Sequence, residues 1–164
     1  MVEMIVFGLA LDEDSQMPIL ILKDKAEDVI FPIWIGALEA MSISMTLNKV
    51  AVPRPMTHDL MLNVLKKLAA RLEAVEIVSI HEGTYYAELV LTIGGEERRV
   101  DCRPSDSIAL ALRAEAPIRV AEEVIALNKN LQKGGFQEEL KGEDSEKWTE
   151  ILSRYSLDDI KYKM

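Results

Sequence analysis

The chain is short of cysteine, aromatic residues and long apolar runs. Its one cysteine, Cys102, can form no internal disulfide, which fits a reducing compartment. With no second Cys nearby, Cys102 reads as a small buried residue near a strand end and not as a zinc ligand. The longest apolar stretches, Met17 to Leu22 and Val29 to Ala37, fall far below the roughly 20 residues that cross a bilayer. No membrane span is expected. The first residues, Met1-Val2-Glu3-Met4, lead straight into strand-like alternation without a basic leader and apolar core, so a cytoplasmic location is expected. Phosphate-binding loops, dinucleotide-binding glycine clusters and zinc-protease helices are absent too.

Basic charge is also scarce. A net charge of −9 and 19 Lys and Arg against 28 Asp and Glu exclude a protein that grips nucleic acid by bulk electrostatics. The exception is local. Between residues 49 and 71, Lys49, Arg54, Lys66, Lys67 and Arg71 face only Asp59, a balance of +4.

What is present is one core's worth of patterned sequence, 164 residues at 49% apolar composition. Strands are expected over Val2 to Leu11, Pro18 to Leu22 and Val29 to Ile35, with an acidic turn at Asp12 to Asp14 that lacks the glycine and distant Glu of a calcium loop. A helix apolar over more than half its girth follows Gly36, with Leu38, Met41 and Met45 on one face and Ala40, Ile43 and Leu47 on another. Pro53-Arg54-Pro55 ends it. Thr57 reads as the N-cap of a second helix, whose inward stripe is expected at Leu60, Val64, Leu65, Leu68 and Leu72.

Strands then recur over Val75 to Ile80, Thr84 to Ile93 and, after the Gly94-Gly95 hairpin signal, Glu96 to Cys102. A helix opens at Pro104. Ile35 to Ile43 and Cys102 to Leu110 match in kind at an offset of 67, with Glu39 opposite Asp106. The reading is an α+β domain of two related β-β-β-α halves, mainly antiparallel, over residues 1–128. Ile118 to Val120 reads as a last short strand and Glu122 to Asn128 as a short helix. Residues 129–164 read as a polar tail whose amphipathic stretch, Trp148, Ile151, Leu152 and Tyr155, docks back on the body or binds a protein partner.

Pro32-Ile33-Trp34-Ile35-Gly36 with Glu39-Ala40, then Arg54 to Leu60, then Asp101 to Arg113 form three ordered blocks. Together they resemble the bifunctional nuclease domain family over roughly Val2 to Asn128. That resemblance implies an α+β fold, a tendency to dimerise, and activity on both RNA and DNA. It carries no catalytic residues with it.

Candidates come instead from the chemistry that phosphodiester cleavage needs: a base, phosphate contacts and charge stabilisation. His58 and Asp59 are candidate catalytic groups beside Arg54 and Thr57, which would hold a phosphate at a helix N-terminus. Asp106 is the third catalytic candidate, with Arg103 and Ser105 as further phosphate contacts. Glu39, Asp101 and Asp106 are candidate ligands of a divalent cation, Mg²⁺ or Mn²⁺. The alternative for these groups is helix caps and ion pairs. Trp34, between Ile33 and Ile35, reads as a core or dimer-interface residue, and His81 as an exposed loop residue.

The function expected is a weak, non-sequence-specific nuclease, divalent-ion-dependent and homodimeric, that binds nucleic acid weakly. The alternatives are a non-catalytic dimeric interaction or regulatory module and a small-molecule enzyme with its pocket between the halves.

Overall fold

The computed structural model describes residues 1–12, 15–26 and 29–131, with side chains through residue 128. Alternation of large apolar residues builds a first meander, β1 (Val2–Leu11), β2 (Pro18–Asp24) and β3 (Ile30–Trp34). Helices α1 (Ala37–Leu47) and α2 (Thr57–Lys67) follow, then a second meander, β4 (Ala70–His81), β5 (Thr84–Ile93) and β6 (Glu96–Cys102). The described chain closes with α3 (Pro104–Ala114), β7 (Ile118–Val120) and α4 (Glu122–Leu131). The order β-β-β-α therefore occurs twice, with α2 intervening, in an α+β fold. The tail's amphipathic stretch and part of the Asp12 to Asp14 turn lie outside the described residues.

All seven strands form one sheet in the order β3-β2-β1-β7-β4-β5-β6. Each meander is antiparallel, and β7 joins them, antiparallel to β1 and parallel to β4. Four strands separate β3 from β5, which in a flat sheet would set them roughly 24 Å apart. Yet the Phe31 and Tyr85 rings meet edge to face at 5.4 Å. The sheet is rolled, and its concave side holds the core of Leu20, Leu22, Phe31, Val75, Ile77 and Leu89 against Ile43 of α1 and Ile108 and Leu110 of α3.

The pleat divides the strand residues between two faces. In β5 and β6, Ala87 and Cys102 pair on the core side, while Glu88 and Asp101 pair on the other. That outer face carries the buried Glu76, which accepts hydrogen bonds from Arg99 at 2.8 Å and Arg119 at 3.2 Å. Trp34 also points outward, 42% exposed, because Ile33 and Ile35 take the core positions on either side of it. Its indole N–H donates to Asp12.

Two expectations about α2 are corrected. The helix stops at Lys67, and Ala69 turns the chain with φ +54 into β4, so Leu72 lies in a strand. The inward face is His58, Leu62 and Leu65, while Leu60, Val64 and Leu68 are exposed. A histidine takes an inward place because two polar partners wait for it.

Candidate functional site

The first turns of α1, α2 and α3 converge beside the start of β5 and enclose a cleft of about 790 Å³. Glu39 and Ser42 enter from α1, Thr57 and His58 from α2, and Arg103 and Asp106 from the β6–α3 junction. Local sequence dictates each start. Gly36 precedes α1 where a Cβ would run into the Glu39 carboxylate, and Pro104 suits the first position of α3.

A continuous hydrogen-bonded chain crosses the cleft wall. Ser42 Oγ lies 2.8 Å from His58 Nδ1, and His58 Nε2 lies 3.0 Å from Asp106 Oδ1. Arg103 Nε donates to Asp106 Oδ2 at 2.7 Å, and its Nη1 pairs with Glu39 Oε1 at 2.9 Å. Behind Ser42, Arg113 Nη2 donates to the Ser42 hydroxyl at 3.1 Å. That bond makes Ser42 Oγ an acceptor and leaves its own proton for His58 Nδ1. A neutral His58 with its proton on Nε2, donated to Asp106, satisfies every member of the chain.

Asp106 is the point where the chain meets the cleft. Burial works to raise its pKa, but hydrogen bonds from Arg103 and His58, with the Arg103 charge, outweigh that and hold the carboxyl below the usual aspartate value. It is ionised at neutral pH. Arg103 is the most exposed member, its side chain 66% accessible, so it is the cation best placed to change partners.

Of the expected site residues, Glu39, Thr57, His58, Asp101, Arg103 and Asp106 line this one cleft. The others lie elsewhere. Asp59 accepts from the Met56 backbone N–H at 2.9 Å and from Arg113 Nε at 2.7 Å, capping α2 and pairing beneath the site. Burial pushes its pKa up, but the Arg113 and Met56 bonds prevail and keep it low. Met56, not Thr57, holds the N-cap position, because Met56 is itself extended, φ −84 and ψ 179, and Thr57 is already the first helical residue. Ser105 is buried within α3, and Arg54 is exposed outside the cleft lining. Cys102 is partly buried with its thiol pushed up to about 11, chiefly by burial, which suits an inert residue. His81 ends β4, exposed, with its ring against Tyr86.

A divalent cation would need Glu39, Asp101 and Asp106 to converge. Arg103 stands between Glu39 and Asp106, and the pleat sends Asp101 to the outer side of the sheet at the cleft rim. Among the described residues, no three His, Cys, Asp or Glu side chains gather as a metal site. The arrangement does not fit a resident ion.

Sequence reasoning missed Ser42, Arg113 and the apolar lining. Ser42 lay inside an apolar helix, and Arg113 resembled an ordinary cation in a helix's last turn. The lining of Met41, Met56, Met61, Tyr85 and Tyr86 gave no motif, because these residues come from three separate elements.

Among the described residues, no helix is long and apolar enough to cross a membrane. The model of the bifunctional nuclease domain matches residues 20–133, which span the cleft and the sheet apart from β1 and the first residues of β2. An uncharacterized protein of Mycobacterium tuberculosis is 38% identical over 163 residues, 97% of this chain and 98% of its own length. Bifunctional nuclease 1 of rice is 27% identical over 124 residues, 74% of this chain but 37% of the rice protein. Bifunctional nuclease 2 of Arabidopsis thaliana is 28% identical over 103 residues, 58% of this chain and 31% of its own. With the second meander and all three cleft helices inside the matched span, the chain belongs to the bifunctional nuclease domain family.

Proposed function

We propose that this domain is a weak, non-sequence-specific nuclease acting on RNA and DNA, with Asp106, His58 and Arg103 as its working groups. The observation that carries the reading is the chain from Ser42 through His58 to Asp106, opening onto a cleft beside an exposed arginine. The names of the plant relatives support the same chemistry.

A phosphate entering the cleft competes with Glu39 and Asp106 for Arg103, since a guanidinium binds phosphate through two parallel bonds. When Arg103 turns to it, Asp106 Oδ2 loses its donor and its proton affinity rises. Asp106 then takes a proton from the attacking water, and His58 stabilises the carboxyl from the other side. That proton is the one the leaving oxygen requires, so the site returns to its starting state. Glu39 holds Arg103 between turnovers.

The test is cleavage of fluorescent single-stranded RNA and DNA by highly purified protein in Mg²⁺, Mn²⁺ or EDTA, alongside folded His58→Ala, Asp106→Asn and Arg103→Met variants. Loss of roughly 10²–10⁴-fold in the first two is the range of a general acid–base group. Variants that cleave like the parent would sink the reading. The EDTA arm decides the ion dependence expected from sequence.

A second reading, a dimeric interaction module in the cytoplasm, is favoured by one observation. Leu60, Val64 and Leu68 form an exposed stripe along α2, 56%, 47% and 66% accessible. Homodimerisation through that stripe is compatible with either reading. Sedimentation of the parent and a Leu60→Glu/Val64→Glu variant tests it, and a parent that sediments as a monomer removes it.

A further inference from the structure

Much of the cleft lining is apolar. Leu38, Met41, Met56 and Met61 line it from α1 and α2, and Tyr85 and Tyr86 from the start of β5. The two tyrosines do different things. Tyr85 packs its ring against Phe31 and accepts a hydrogen bond from Asn128 on its hydroxyl, so it belongs to the wall. Tyr86, one residue on, turns by the pleat to the outer side of the sheet like Glu88 and Asp101, and stands at the cleft rim, 41% exposed, its ring edge to face with His81.

Strand β6 ends its pairing at Cys102, opposite Ala87. Thr84 to Tyr86 therefore have β4 on one side and, among the described residues, no strand on the other. The charged lining is Glu39, Asp101 and Asp106 against Arg103. This is a poor attractor for a polyanion, and the whole chain at −9 is no better.

These observations restrict how the cleft can hold nucleic acid. If phosphate attraction is weak, binding has to come from the bases. A cavity within the roughly 300–1,000 Å³ of small-ligand pockets, with soft methionines inside and an exposed aromatic ring at its rim, suits a flat heteroaromatic ring. Carboxylates at its edge accept from the exocyclic amino groups that bases present. A base in a duplex must be unpaired before it can enter.

Building on the nuclease reading, we infer that the cleft receives one unstacked nucleobase, with Tyr86 as its stacking platform, and that the substrate class is single-stranded nucleic acid. Tyr86 binds the base, while Arg103 meets the adjoining phosphate.

The experiment measures binding apart from cleavage. A fluorescein-labelled eight-nucleotide 2′-O-methyl strand with phosphorothioate linkages, which resists hydrolysis, is titrated with the full chain and followed by anisotropy. An abasic strand with the same linkages and the same strand in a duplex are titrated alongside. The base-bearing single strand is expected to bind about ten-fold more tightly than either, and Tyr86→Ala to lose about ten-fold, within the range for one lost base–aromatic stack. Tyr86→Phe is expected to keep parent affinity, which separates stacking from a folding defect. An abasic strand that binds as tightly as its base-bearing counterpart overturns the inference, as does an unchanged Tyr86→Ala affinity or no binding of the base-bearing strand. Base-dependent binding by a parent that cleaves no natural strand leaves this inference standing and removes only the catalytic reading.

Discussion

Arg113 offers the sharpest test of how the cleft is held together. Its side chain is 10% accessible, and its guanidinium donates to Asp59 at 2.7 Å, the Ala109 carbonyl at 2.9 Å, the Ser42 carbonyl at 3.3 Å and the Ser42 hydroxyl at 3.1 Å. Arg113→Met keeps much of the stem's volume but leaves the Asp59 carboxylate without its cation. Removing one partner of a buried ion pair costs about 3–5 kcal/mol. Asp59 is 30% accessible and keeps the Met56 N–H, so water recovers part of that. About 2–3 kcal/mol is expected, near 8–12 °C in Tm for a domain of this size.

Asp59 has a depressed pKa, so the stability it contributes is present above the ordinary aspartate value of 3.8 and is lost as pH falls through the lower folded value. The penalty of Arg113→Met should shrink over that acid window. Chemical denaturation of the parent, Arg113→Met, Asp59→Asn and the double variant at neutral pH forms the assay. The double variant should recover at least about 1 kcal/mol relative to additivity, as expected for groups in contact. Additive losses, or a single-variant cost below about 0.5 kcal/mol, would refute the claim that this pair anchors α2 to α3.

Three further outcomes follow from named contacts. Gly36→Ala should displace the Glu39 carboxylate, which Arg103 pins, and lower cleavage more than Glu39→Gln does; equal activity of Gly36→Ala and parent would show that Glu39 moves freely. Glu76→Ala should cost about 1–2 kcal/mol, measured by urea unfolding, because it removes two charge-assisted hydrogen bonds while Arg99 keeps Glu88 and Glu97 and water reaches both arginines. Burial raises the Glu76 pKa, yet Arg99 and Arg119 hold it below 4.5, so the same contribution should fade in the parent as pH falls below that value. Ser42→Ala should leave stability within about 1.5 kcal/mol but change the His58 ring-nitrogen signals in a ¹⁵N spectrum; unchanged signals would show that Ser42 does not set the tautomer.

Periodicity made the strands and the order of elements legible, because alternation in Thr84 to Ile93 and the Gly94-Gly95 turn are local signals. It failed at α2 for a physical reason. Leu60, Val64 and Leu68 look inward by hydropathy, but His58 is buried through Ser42 and Asp106, whose side chains lie 16 and 48 residues away in sequence. No window of sequence contains those partners. The helix end at Ala69 was hidden too, since an alanine adopts there the φ that a glycine would have advertised. Six candidate site residues share the cleft because the starts of α1, α2 and α3 meet there. Asp59 was separated from them by the single helical step that turns it toward Arg113.

The three-residue strand β7 has a consequence for how the chain matures. Among the described residues, the two meanders share no direct strand pairing, and each is stitched to the other through Ile118 to Val120. As the polypeptide leaves the ribosome, the first meander is complete by Trp34 and the second by Cys102, but the seam between them has to wait until residue 120 has emerged. Until then both inner edges, β1 and β4, stand open to passing strands. A nascent chain stalled just short of Ile118 would carry nearly all of its cleft residues and still lack the splice that makes its two wings one body.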